Sequence, residues 1–248
     1  MAPKNAPPKD VTHDEISSGS RVAAFFDFDK TILATDSLSK EALVLWEMSR
    51  KQRDWVLYLK LYFVFLFVVP LYQCGLVGGC SINRIYIGLI YRGLPVQRLH
   101  DIAKELYQSR LRHQLYPKMI ELVRQHQKLG HLVIVVSASP RHLLLPFYHD
   151  YIDIIHDLET TEVEVNDAGR CTGRCRVCIG ESKARAQERF AANHNINLSQ
   201  SYAYSDHHHD EKFLEGVGTA IVVNPTPELE RIAKKREWSR LDMCLESS

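Results

Sequence analysis

Four short apolar runs, each closed by a polar residue and flanked by helical patterns, constrain this chain more than any other feature. They are RVAAFFD at 21–27, HLVIVVS at 131–137, SYAYS at 201–205 and TAIVV at 219–223, the last stopped by Asn224 and Pro225. Runs this short and apolar suit strands buried on both faces of a parallel sheet. Helical patterns at 118–129, 181–192 and 228–238 accompany them. Strands alternating with helices demand right-handed crossovers, so the expected class is α/β: a doubly wound, mostly parallel sheet with its ligand site at the carboxyl ends of the strands. Asp27, Ser137 and Asp206 each fall at or just after such an end, although far apart in sequence.

Between 37 and 114 the strand signal vanishes and the sequence turns helical and aromatic, the pattern of an inserted α-helical cap. The expected division is therefore a core of 21–36 and 115–240, a cap of 37–114, a disordered tail of 1–20 and a C-terminal tail of 241–248. From 158 to 176 an alternating pattern with Asn166, Asp167 and Gly169 predicts a β-hairpin, a small excursion from the main sheet.

With 248 residues and 45% hydrophobic content the chain can bury an ordinary core. A net charge of +1 excludes a polyelectrolyte partner such as nucleic acid. The first fifteen residues, MAPKNAPPKDVTHDE, are rich in Pro and Lys and have no apolar core, so they do not read as a signal peptide. A cytoplasmic location and six reduced cysteines follow as expectations.

The chemistry gathers at the strand ends. Asp27 and Asp29 in FFDFDKT stand on one side of an extended backbone, so one carboxylate can attack while the other handles protons. Ser137 ends the second strand, and Pro140 suits the first turn of the helix after it, so the hydroxyl and nearby N–H groups would face a phosphate. Lys183 in GESK falls in the first turn of a helix, where a cation is unfavourable unless an anion lies opposite. Asp206 and Asp210 in YSDHHHD reach one face if the chain turns helically after the third run. Four acids together repel unless a hard divalent cation such as Mg²⁺ sits among them.

DFDKT, VVSASP, GESKARA, YSDHHHD and VGTAIVVNP, in that order, resemble the haloacid dehalogenase superfamily, in particular its phosphoserine-phosphatase-like branch with a helical cap. The resemblance implies a hydrolase of phosphate monoesters, with Asp27 as nucleophile and Asp29 as acid/base. It assigns Ser137, Ala138, Lys183 and Thr31 to the phosphoryl group. Mg²⁺ would be bound by Asp27, the main-chain carbonyl of Asp29 and Asp206, with Asp210 supporting. Asp36 matches a position where phosphoserine phosphatases carry an acid for the substrate amine. Lys30 departs from the glycine commonest after the second aspartate.

Three signals compete with this reading. Cys171, Cys175 and Cys178 have the spacing of the iron–sulfur loop of radical enzymes. His207, His208 and His209 read as variable loop residues able to bind stray nickel. The run WVLYLKLYFVFLFVVPLY at 55–72, with Lys60 its one charge, is either a buried cap helix broken near Pro70 or a membrane contact. A membrane contact would favour a lipid phosphate as substrate, as in phosphatidylglycerophosphate phosphatases, over a phosphoserine-like metabolite.

Overall fold

The computed structural model describes residues 20–245; nearly all of the expected N-terminal tail lies outside them. The strands are β1 (Ala23–Phe26), β2 (Leu132–Pro140), β3 (Asp157–Val165), β4 (Cys171–Arg176), β5 (Tyr202–Ser205), β6 (Thr219–Val223) and β7 (Ser239–Leu241). They form one sheet in the order β4-β3-β2-β1-β5-β6-β7. Every pairing is parallel except β3 with β4. Side chains alternate across β1: Ala24 and Phe26 join one core with Val133, Val135 and Tyr204, while Ala23 and Phe25 join another with Ile134, Val136 and Ala203. The central strands are apolar throughout because both faces are covered.

Three expectations are corrected here. The hairpin at 158–176 is no excursion, since β3 pairs with β2 and carries the main sheet outward to β4. The last helix stops at Lys235, and Ser239–Leu241 turns back to pair with β6 where a helix end and a tail were expected. Pro140 ends β2 in an extended conformation, and the following helix starts at Arg141.

Between Ser37 and Gln114 the chain is helical, and its apolar side chains form a third cluster. Ser37–Lys51 is the first helix, N-capped by Asp36. The next, Trp55–Gln73, runs through Pro70 without breaking. A π turn at Val64–Val68 precedes the proline, with Val69 N bonded to Val64 O, and this widened turn accommodates a ring that cannot donate. Only 22% of this helix's most apolar stretch is buried, so it is not the buried cap helix considered above.

The β3–β4 hairpin ties these helices to the sheet. Cys171 N donates to Leu94 O, and Gly93 N and Val96 N donate to Cys171 O and Gly169 O. Gly173 sits against Gly88 and Arg92 at φ +86°, and an added Cβ would lie 3.0 Å from Arg92 Cβ. Both the backbone conformation and the close approach require glycine. Gly173→Ala is expected to cost roughly 1–3 kcal/mol. Amide exchange should rise first at the amides of Gly93, Val96 and Cys171; exchange unchanged there would show that the hairpin does not hold the helices.

Candidate active site

Asp27 directly follows β1, and its N–H donates to Tyr204 O, so the ladder with β5 fixes its backbone. Phe28 O then accepts from Thr31, Ile32 and Leu33 N, closing a tight turn. Within that turn Lys30 takes φ +59°, the left-handed region that favours glycine, at a cost of about 1–2 kcal/mol. Lys30 lines the cavity, and its cation offsets a small part of the burial that raises the pKa of Asp206.

Below the turn a cavity of about 390 Å³ collects Asp27, Asp29, Lys30, Asp36, Ala138, Lys183, Asp206 and Asp210. Lys183 stands in the first turn of the helix Glu181–His194. Its Nζ lies 2.5 Å from Asp27 Oδ1 and 2.7 Å from Asp210 Oδ2. Burial works against this ammonium, but Asp210 and Asp27 outweigh it and hold its pKa above the ordinary lysine value. Asp210 also accepts from Ser205 Oγ at 2.7 Å, in the 3₁₀ turn His208–Asp210 that brings it beside Asp206.

Asp29 is held differently. Its Oδ2 accepts from Ser139 Oγ at 2.5 Å and its Oδ1 from Ser37 N at 2.7 Å. Burial, reinforced by Asp36, pushes its pKa up to about 7. Asp27 is also raised, by burial that the Lys183 charge partly offsets. Burial, with Asp27 next, lifts Asp206 to about 8.

Other candidate residues are placed less directly. Thr31 is fully buried with its hydroxyl 3.2 Å from Asp27 Oδ2, so it orients that carboxylate. Ser137 is fully buried, and its Oγ accepts from Ser139 N. The register of β2 shifts between Val136 and Pro140, and this irregularity turns Ala138 and Ser139 into the cavity. Asp36 lines the cavity while accepting from Ser39 N as a helix N-cap.

Sequence reasoning missed Ser37, Ser139 and Asn83. Asn83 projects from the helix Gly79–Tyr86, lines the cavity, and leaves its buried Oδ1 without a hydrogen-bond partner among the described residues. The serine in VVSASP two residues after Ser137 was a signal for Ser139; nothing local pointed to Asn83.

The rival signals resolve on geometry. His207 and His209, in the short segment between Asp206 and Asp210, both line the cavity. The nitrogens of His207, His208 and His209 lie within 4.8 Å of one another, and burial depresses His207 to about 4. The cysteines are divided between two cores, Cys171 and Cys175 against the helical cluster and Cys178 in the sheet core. Burial raises all three thiols, Cys178 to about 12, which disfavours the thiolate that a cluster ligand needs. The iron–sulfur reading is therefore dropped.

The donors of the acidic cluster fit a hard divalent cation. Asp27, Asp206 and Asp210 are buried carboxylates with Lys183 the buried ammonium among them, and burial, reinforced by their carboxylate neighbours, raises Asp27 and Asp206.

A doubly wound sheet that delivers such a group of carboxylates and an ammonium to its strand ends defines an α/β enzyme with an acidic, cation-ready centre. The chain belongs to the haloacid dehalogenase-like hydrolase family, whose family model matches residues 24–215. Among its relatives is the inhibition of morphological differentiation protein of Streptomyces azureus, 31% identical over 90% of this chain and 78% of the relative. A probable phosphatase of Mycobacterium tuberculosis is 30% identical over 96% of this chain and 80% of its own length. The fold is shared with a substrate-bound phosphoserine phosphatase, at a TM-score of 0.60 and 18% identity over 86% of this chain and 90% of that one.

Asp206 generates a test that separates metal binding from folding. Its folded pKa of about 8 exceeds the ordinary 3.8, so its contribution favours the folded state at low pH and is lost as pH rises through about 8. In chelator, Asp206→Asn is expected to melt at or above wild type at pH 8, with a smaller loss of stability between pH 5 and pH 8. Mg²⁺ at about a hundred times its Kd should stabilise wild type by about 2.7 kcal/mol, or roughly 5–10 °C, and the variant far less. Equal Mg²⁺ shifts in both proteins would remove Asp206 from the cation site.

Proposed function

We propose that this hydrolase is a Mg²⁺-dependent phosphomonoesterase that works through an aspartyl-phosphate on Asp27. The observation that carries this reading is the contrast between two carboxylates two residues apart: Asp27 is clamped to Lys183, while Asp29 is held near neutrality by burial and by Asp36. One is oriented and charge-compensated for attack, and the other is poised to give and take a proton.

In the first half-reaction an Asp27 oxygen bonds to phosphorus, the ester P–O bond breaks, and Asp29 passes its proton to the departing alcohol oxygen. In the second, water attacks phosphorus, Asp29 takes its proton, and the bond to Asp27 breaks to release inorganic phosphate. Lys183 balances charge on Asp27 and the phosphoryl oxygens throughout, and Thr31 keeps the attacking carboxylate in register. Ala138 and Ser139 form the irregular strand end against the phosphoryl group, with Ser137 buried behind them and accepting from Ser139 N. When bound, Mg²⁺ would be held by Asp27, Asp206 and the Asp29 carbonyl, with Asp210 supporting, and would supply positive charge against the incoming phosphate.

The rest of the substrate meets the helices, where Val64, Phe65, Val69, Tyr72, Ile82 and Tyr86 give an apolar wall. Asn83 also lines this wall, and its unpaired Oδ1 is an acceptor suited to a hydroxyl or ammonium if its side chain turns to the substrate. A small phosphate monoester bearing such a donor, of the phosphoserine type, fits this lining. The Mycobacterium tuberculosis relative named a probable phosphatase supports the reaction class.

Phosphate release from p-nitrophenyl phosphate, with and without Mg²⁺, is the direct test. Asp27→Asn, nearly isosteric, should lower kcat by roughly a thousandfold or more, and beryllium fluoride should inhibit wild type strongly. Full turnover in that variant would remove Asp27 as nucleophile. For Asp29, kcat/KM should fall as pH rises through about 7, because the first half-reaction needs its proton. Asp29→Asn should cost roughly 10²–10⁴ in rate and abolish that limb of the profile; an unaltered pH profile would assign the proton transfer to another group.

A further inference from the structure

The helix Trp55–Gln73 has three functional sides, and among the described residues only two are occupied. Leu57, Leu61, Val64 and Val68 are buried in the helical cluster. Val64, Val69 and Tyr72 contribute to the wall of the active-site cavity. The third side carries Trp55, Leu59, Phe63, Leu66, Phe67 and Leu71, exposed by 43% to 62%. Their spacing keeps them on one face over about 24 Å of helix. Soluble chains rarely leave a continuous apolar strip of this length uncovered.

The charge around the strip indicates what covers it. From Trp55 to His100 the sequence contains no aspartate or glutamate, whereas Lys60 lies within the helix and Arg98 donates to Gln52 Oε1 just ahead of it. Arg50, Lys51 and Arg53, all exposed, immediately precede the helix and its N-cap Asp54. The chain as a whole is nearly balanced, with 31 basic and 30 acidic residues, so this one-sidedness is local. A second copy of the same face would bring these cations against one another. An anionic lipid surface would take up both the apolar strip and the basic rim.

We propose that the outer face of Trp55–Gln73 is a membrane-docking surface that lays the helical insertion on an anionic bilayer, with the helix parallel to the interface. The cavity wall and the docking face are then two sides of one helix, which holds the active-site mouth close to the lipid. Docking does not depend on whether the cavity hydrolyses phosphate esters.

Flotation with vesicles tests this on the full chain. Wild type is expected to float with phosphatidylcholine vesicles containing phosphatidylserine, several-fold more than with phosphatidylcholine alone, and to be released by salt. Leu59→Ser/Phe63→Ser/Phe67→Ser should lower binding about tenfold or more, with a thermal midpoint near wild type because all three side chains are exposed. If the triple variant fails to fold, Leu59→Ser alone is measured in its place. Arg50→Gln/Lys51→Gln should reduce binding to the anionic vesicles only. Wild type that floats with neither composition overturns the proposal, as does a folded triple variant that floats like wild type. A concentration-dependent dimer dissolved by the triple substitution, without vesicle binding, overturns it in favour of a second copy.

Discussion

Lys183 is the interaction on which the rest of this site depends. A lysine nine-tenths or more buried is tolerable only beside anions, and here Asp27 and Asp210 both lie within 2.7 Å of its ammonium. Removing either partner from such a pair leaves an uncompensated charge, typically at a cost of about 3–5 kcal/mol. The three residues come from β1, the helix Glu181–His194 and the 3₁₀ turn after β5, so the ion pair also registers these elements at the strand ends. It leaves Asp29 and Asp206 without a comparable partner, so burial, with Asp36 next for Asp29 and Asp27 next for Asp206, raises both. The site is thus built with excess negative charge, a poor arrangement for stability and a good one for a cation and a phosphate.

The helical insertion is joined to the sheet by more than its two chain crossings. β4 offers its edge to Gly93, Leu94 and Val96, and Gly173 permits a backbone approach that a side chain would block. Ser37, at the start of the insertion, gives its N–H to Asp29 and its hydroxyl to Ser139. A buried network adds a further tie, with Glu41 accepting from His142 Nε2 at 2.8 Å and from the Tyr91 hydroxyl. Any displacement of the insertion therefore acts on the proton-handling carboxylate as well as on the cavity wall.

Much of this architecture was legible in the sequence, for identifiable reasons. Strands buried on both faces must be apolar, so the central strands announced themselves, and polar residues at their ends had few places to go except the carboxyl edge. That logic brought Asp27, Asp206, Asp210 and Lys183 to one cavity. It failed where pairing partners supply the structure: β4, as CTGRCR, and β7, as SRL, have little strand character of their own and exist because a neighbouring edge accepts them. It failed again at Pro70, where a π turn several residues earlier absorbs the ring.

What the sequence determined by itself was the class of fold and the set of charged residues that meet, because periodicity and strand-end position are local properties of the chain, while the order of its motifs carried the resemblance to the family. Tertiary structure alone decided that Ser139 and not Ser137 reaches Asp29, that Asn83 enters the cavity wall, and that His207 and His209 face the acids. It also decided which side of the 55–73 helix is covered, since a helix apolar all round carries no signal of its own orientation. The physical reason is common to all four: each depends on groups brought from distant parts of the chain, and a residue's neighbours in space are not written in its neighbours in sequence.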